Sequence, residues 1–162
     1  MIATRRGASV LGALLMVAGG CSSGGSKPSA GGAGQRSANA CVSAVTKDAL
    51  PAWARTGFRG DGSGVPHVFS EHGDLVAILF DYPLMASADP NVANKILWAS
   101  RLPQQPMQPL TIKAVPGGGK LPVEREVPGG PGPSMVNLPK AGCWHLRMNW
   151  SGHTDAMALE FG

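Results

Sequence analysis

Short apolar segments follow residue 40, and glycine- and proline-rich turns separate them. The segment 74–82, DLVAILFDY, is apolar on both faces and therefore predicts a central, buried strand. The segment 121–127, LPVEREV, alternates Val123, Arg125 and Val127 with Pro122, Glu124 and Glu126, which predicts an edge strand with one solvated face. Further strands are predicted at 94–101, 109–115, 134–138, 142–150 and 155–161.

This strand pattern, with almost no helical periodicity, predicts an all-β fold. The best helical candidate is VSAVTKDALPAWA, which Pro51 interrupts. Seven or so short strands favour an antiparallel β-sandwich of immunoglobulin-like type, and a cupredoxin-like sandwich is the alternative. The segment 41–162 holds about 120 residues, which is enough for one domain with a single core.

The first 20 residues predict a secretory signal peptide. Arg5 and Arg6 precede an apolar run that ends in small residues, and this run is shorter than the ~20 residues that span a bilayer. The small residues before Cys21 resemble the lipobox of bacterial lipoproteins, although Ala18 stands where leucine is usual. The resemblance implies that Cys21 is acylated and becomes the new N-terminus. Ordinary signal-peptidase cleavage near the same point, with Cys21 unmodified, is the alternative.

Residues 21–40 predict a flexible tether. After Cys21 they contain Gly, Ser, Ala and a few polar residues, with too little apolar surface to fold. A lipid on Cys21 followed by such a spacer would hold the domain off a membrane. We therefore expect a non-enzymatic lipoprotein of the bacterial cell envelope that is lipid-anchored, extracytoplasmic, and has a binding or structural role.

Charge narrows the range of partners. Removing Arg5 and Arg6 from the 14 Lys and Arg residues leaves 12, against 10 Asp and Glu, a net charge of +2. No basic stripe with interleaved aromatic residues occurs, so nucleic acid is not an expected partner. The expected partners are membrane lipid, through acylated Cys21, and an unknown protein or envelope ligand. Serine, histidine and acidic residues occur, but their spacing in the sequence does not indicate a catalytic site. The segment SEHGD (70–74) is predicted to be a polar turn.

The strand 142–150 carries the chemically interesting residues. Alternation directs Trp144, Leu146, Met148 and Trp150 to the core and leaves Cys143 on the outer face. In an oxidising compartment, Cys41 and Cys143 are an even pair that predicts a disulfide. Two free, buried thiols are the alternative.

The same stretch carries a family resemblance. PSMVNLPKAGCWHLR, followed by a turn and DAMALEF, is similar to the ending of uncharacterised bacterial exported lipoproteins with an immunoglobulin-like domain that ends in a Gly-Cys-Trp strand. The resemblance implies that fold and a disulfide, but no activity. This chain departs from the group by a longer predicted final turn, MNWSGHTDAM, with His153 at its tip.

That turn permits an alternative function as a degenerate cupredoxin-like protein. The spacing of 142–157 is similar to the last strand and ligand loop of cupredoxins, but Met148 stands where their thiolate ligand is, which excludes a blue-copper site. A Cu(I) site of Met148, His153 and Met157 is the remaining hypothesis, with His67 or His72 as a distal ligand, because thioethers favour Cu(I). Core alternation and an exposed turn explain the same residues without copper.

Overall fold

The structure of the protein is a computed structural model, and it describes residues 41, 45–89, 91–92 and 94–162. The predicted signal peptide, the lipidation of Cys21 and the tether lie outside the described residues. The described chain forms eight strands and one short 3-10 helix. These are the helix Ala52–Ala54 and the strands β1 His67–Phe69, β2 Leu75–Leu79, β3 Lys95–Ser100, β4 Leu110–Pro116, β5 Val123–Val127, β6 Pro133–Met135, β7 Gly142–Trp150 and β8 His153–Phe161.

The strands form two antiparallel sheets of four strands each. The first sheet has the order β1-β2-β3-β6 and the second has the order β5-β4-β7-β8. One buried apolar cluster contains side chains of both sheets, among them Leu75, Trp98, Ile112 and Trp144. The prediction of an all-β antiparallel sandwich is therefore confirmed. In the part of the chain that the structure describes, we find no helix of the length and hydrophobicity that crossing a membrane requires.

Strand β2 is buried on both faces, as predicted, and the structure shows what covers each face. Leu75, Ala77 and Leu79 face the core between the sheets. Val76 and Ile78 face the other way and pack against an outer cluster that includes Leu50 and Ala54, from the segment before β1. The strand ends at Leu79, earlier than predicted, and Phe80 is 46% exposed.

The edge strand and the long C-terminal strand also follow their predictions. β5 lies at one end of its sheet, with Glu124 and Glu126 exposed. In β7, Trp144, Leu146, Met148 and Trp150 are buried, and the alternate residues are not. Period-two alternation was sufficient here because one face of the strand meets the core along its whole length.

The prediction of a long final turn is wrong. Trp150 pairs directly with His153, so only Ser151 and Gly152 connect β7 to β8. Both turn residues have positive φ, +48° and +81°, as in the two-residue hairpin turns whose twist matches that of the strands. His153 is therefore the first residue of β8 and not the tip of a loop.

The predicted disulfide is present. Cys41 and Cys143 are bonded, and their Cα atoms lie 5.2 Å apart, within the usual range for disulfides. The bond attaches the start of the domain to the outer face of β7, where alternation placed Cys143.

Candidate functional site

A groove with a volume of about 420 Å³ lies on the outer face of the second sheet, beside the outer edge of β8. Its lining comes from β4, β7, β8 and the loop between β1 and β2. We call it the outer-face groove and define it by Glu71, His72, Lys113, His145, Arg147 and Ala156.

Strand register explains why these side chains meet. Lys113 of β4 lies directly opposite Arg147 of β7, and Arg147 lies directly opposite Ala156 of β8. Directly paired residues share a face of the sheet, and Lys113 and Arg147 are both exposed. Since Ala156 has only a methyl side chain, the sheet surface is low beside Arg147, and the groove forms there.

The β1–β2 loop forms the other wall of the groove, and the buried carboxylate of Asp155 holds it. The Asp155 side chain is fully buried. It accepts a hydrogen bond from the hydroxyl of Ser70. It also accepts backbone N–H bonds from Ala156 at 2.8 Å, His72 at 3.2 Å and Asp74 at 3.4 Å. The loop of one sheet is thereby tied to the last strand of the other.

Burial and hydrogen bonding act in opposite directions on the pKa of Asp155. Burial raises the pKa, because it removes water from the charged form. The bonds from the Ser70 hydroxyl and from the backbone N–H groups of Ala156, His72 and Asp74 lower it. The pKa is lowered overall, so the carboxylate is ionised at neutral pH.

His72 reaches from the loop toward the groove. Its Nδ1 lies 3.0 Å from Oδ1 of Asp155, and its side chain is 71% exposed. Because an ionised carboxylate only accepts hydrogen bonds, Nδ1 carries the proton. Nε2 is then the ring nitrogen that is free to meet a ligand.

Ser70, His72 and Asp155 do not form a hydrolytic triad. In a triad, the imidazole lies between the hydroxyl and the carboxylate, so that it can remove the hydroxyl proton. Here the carboxylate lies between the other two groups. Ser70 is also buried, and its Oγ accepts the N–H of Leu75 at 2.9 Å. The arrangement positions the loop and does not activate a nucleophile.

The contact between Ser70, His72 and Asp155 was not predicted from the sequence. SEHGD forms a turn as predicted, but Ser70 is 85 positions from its partner Asp155. One signal was available: Asp155 has the same parity in β8 as Met157, Leu159 and Phe161, which face the core. A carboxylate on an apolar face needs buried partners, so this position pointed to a polar contact.

The outer-face groove carries charges of both signs, and its exposed cations are Lys113 and Arg147. Nζ of Lys113 lies 3.1 Å from Oε1 of Glu124, on the side away from Arg147. The guanidinium of Arg147 has no hydrogen bond or ion pair with any residue that the structure describes. Two imidazoles, His72 and His145, complete the lining, and Glu71 is its one carboxylate outside Asp155 among the described residues.

The residues of the alternative copper hypothesis occupy strands. Met148 and Met157 are buried in the core between the sheets, where packing accounts for them. Nε2 of His153 lies 3.1 Å from the carbonyl oxygen of Pro103, and the ring packs 5.6 Å from that of Trp150. Across the described ranges, no group of three or more His, Cys, Asp or Glu side chains could hold a metal ion.

His67 does not belong with those methionines. It pairs with Ile78, so its ring lies on the side of the first sheet that faces away from the sandwich core. Its Nδ1 lies 2.8 Å from the carbonyl oxygen of Val65, and Nε2 is buried without a partner among the described residues. The first sheet therefore separates His67 from Met148 and Met157.

Comparisons of the chain with protein-family models, with curated proteins and with solved structures find no match. The functional argument therefore depends on the sequence and on the geometry described above.

Proposed function

We propose that the protein is a non-enzymatic lipoprotein of the bacterial cell envelope. It is anchored through acylated Cys21 and binds an envelope component with its extracytoplasmic β-sandwich. The signal-like start, the Cys after small residues and the Gly- and Ser-rich tether support the anchor. The outer-face groove supports the binding role, and it is the observation that carries the proposal.

Two features favour binding over catalysis. The hydroxyl of Ser70 is buried and bonded to a carboxylate, so it is not available for attack. The exposed groups of the outer-face groove include two cations, two imidazoles and the carboxylate of Glu71. They project from paired strands and from a loop that Asp155 holds. Such a surface is suited to hold a ligand in a fixed orientation.

Fractionation of cells that express the full chain tests the anchor. We expect the wild type in the membrane fraction and labelled by an alkyne analogue of palmitate. Cys21→Ser should lose the label and leave the membrane fraction, whereas Cys143→Ser should keep the label, because only Cys21 follows the signal. Membrane retention of Cys21→Ser at the wild-type level would refute the lipid anchor.

A further inference from the structure

One row of side chains crosses the outer face of the second sheet, and its last member is an alanine where the other three are charged. The carboxylate of Glu71 also lines the groove, but it forms no ion pair with Arg147. In order across the sheet, the row is Glu124, Lys113, Arg147 and Ala156. Like charges that lie directly opposite each other on neighbouring strands destabilise a sheet. The ion pair with Glu124 balances the charge of Lys113, but Arg147 has an alanine on its other side.

The surroundings of Arg147 provide the rest of an anion site. The low surface over Ala156 has Arg147 on one side and the β1–β2 loop, with His72, on the other. The guanidinium is a planar donor that binds oxyanions in a bidentate manner. Nε2 of His72 is a second polar group at the groove, and it donates to an oxyanion when the ring is in its imidazolium form. The volume of about 420 Å³ is in the range of small-molecule sites.

We infer that the outer-face groove binds a phosphate ester of about monosaccharide size, with the phosphate between Arg147 and His72 above Ala156. A phosphate is favoured over a carboxylate because its oxygens are arranged tetrahedrally and can face the Arg147 guanidinium and the His72 ring at the same time, whereas the two oxygens of a carboxylate lie in one plane. The inference rests on the proposed binding role and names its ligand class. The ester could be the diester of a lipid headgroup or the monoester of a sugar or glycerol phosphate, since both present free phosphate oxygens.

The test is a titration of the full chain in a maltoside detergent, followed by the amide and side-chain NMR signals of the groove. The probes are glycerol 3-phosphate, short-chain phosphatidylglycerol and acetate. We expect both phosphate probes to shift the signals of Ala156 and His72, and acetate to bind at least about tenfold more weakly, which corresponds to ~1.4 kcal/mol. Equal binding of acetate would overturn the phosphate assignment.

Two variants distinguish a specific phosphate site from general electrostatic attraction. Arg147→Gln should weaken binding of glycerol 3-phosphate at least about tenfold, because charge-assisted bidentate bonds are lost. Arg59→Gln removes the same charge from an exposed loop position outside the groove and should leave binding unchanged. Equal losses in both variants would show that only net charge matters and would overturn the inference.

In a third variant, a carboxylate of the protein itself takes the place that we assign to the phosphate. Ala156→Glu places a carboxylate directly opposite Arg147, so it should abolish phosphate binding while the protein stays folded. If this variant is folded and binds as the wild type does, the site is not where we place it.

Tighter binding of phosphatidylglycerol than of glycerol 3-phosphate supports a lipid source, and equal binding supports a soluble or polymeric ester. These results do not depend on fractionation, so the anchor and the groove can fail separately.

Discussion

The hydroxyl of Ser70 donates a hydrogen bond to the carboxylate of Asp155, and this bond connects the two sheets of the sandwich. Ser70 follows β1 of the first sheet, and Asp155 lies in β8 at the edge of the second. The loop that follows Ser70 also covers the edge, where the N–H of Glu71 donates to the carbonyl oxygen of Ala156 at 2.8 Å. An edge strand that is covered in this way is protected from pairing with other chains.

Removing the charge of Asp155 should destabilise the fold. Asp155→Asn replaces one accepting oxygen with an NH₂ group that faces N–H donors, which leaves buried groups unpaired. We expect a loss of about 1–3 kcal/mol in the free energy of unfolding, measured by urea denaturation. Glu160→Gln, a similar change at an exposed position of the same strand, should change it by less than about 0.5 kcal/mol. Equal effects of the two substitutions would contradict the role of Asp155.

The same carboxylate should make stability depend on pH in the acid range. The pKa of Asp155 is lowered in the folded protein, so its ionised form contributes stability above the unfolded pKa of about 3.9. This contribution is lost as the pH falls through the folded pKa, because the native carboxylate is then protonated. The difference in unfolding free energy between wild type and Asp155→Asn should therefore be constant from about pH 5 to 7 and shrink below about pH 4. If this difference in unfolding free energy grew on acidification, it would contradict a lowered pKa of Asp155 in the folded protein.

The disulfide should stabilise the folded protein mainly because it restricts the conformations of the unfolded chain. It joins residues separated by 102 positions, and the chain-entropy model gives an upper value of about 4–5 kcal/mol for such a loop. We expect a Cys41→Ala and Cys143→Ala double variant to lose up to that amount in urea denaturation. Reduction of the wild type should lower stability toward that of the variant, and reduction should leave the variant unchanged.

Ala156→Glu should stabilise the protein as well as block the groove. The new carboxylate lies directly opposite Arg147, and a cross-strand pair of opposite charges contributes about 0.2–1 kcal/mol. Thermal denaturation at low and high salt measures the gain, which should decrease at high salt because exposed ion pairs are screened. Ala156→Gln has a similar shape without the charge and should show no salt-dependent gain.

A Cu(I) titration separates the alternative function from the proposed one. Met148 and Met157 are packed in the core, and the ring of His153 contacts Trp150 and lies within hydrogen-bonding distance of Pro103. We expect any Cu(I) binding by the full chain to be unchanged in the His153→Ala and Met157→Leu double variant. Binding that is lost in this variant, with the fold intact, would favour the copper hypothesis instead.

The sequence alone determined most of the strands and the direction of their side chains. Alternation in β7 and β5 and the continuous apolar run of β2 are both local patterns, so they can be recognised without knowing which segments lie beside them. The pairing of Cys41 with Cys143 followed from counting cysteines in an oxidising compartment.

Tertiary structure alone decided the site. The partners of Asp155 in the β1–β2 loop lie more than 80 positions away. The two-residue turn at Ser151 is set by how far β7 and β8 remain paired, and the outer cluster over β2 comes from a segment without a strand pattern. The placement of Arg147 between Lys113 and Ala156 depends on the register of three strands. Register and sheet order arise from packing between distant segments, and for that reason a local pattern specifies which face a residue takes but not which residue lies beside it.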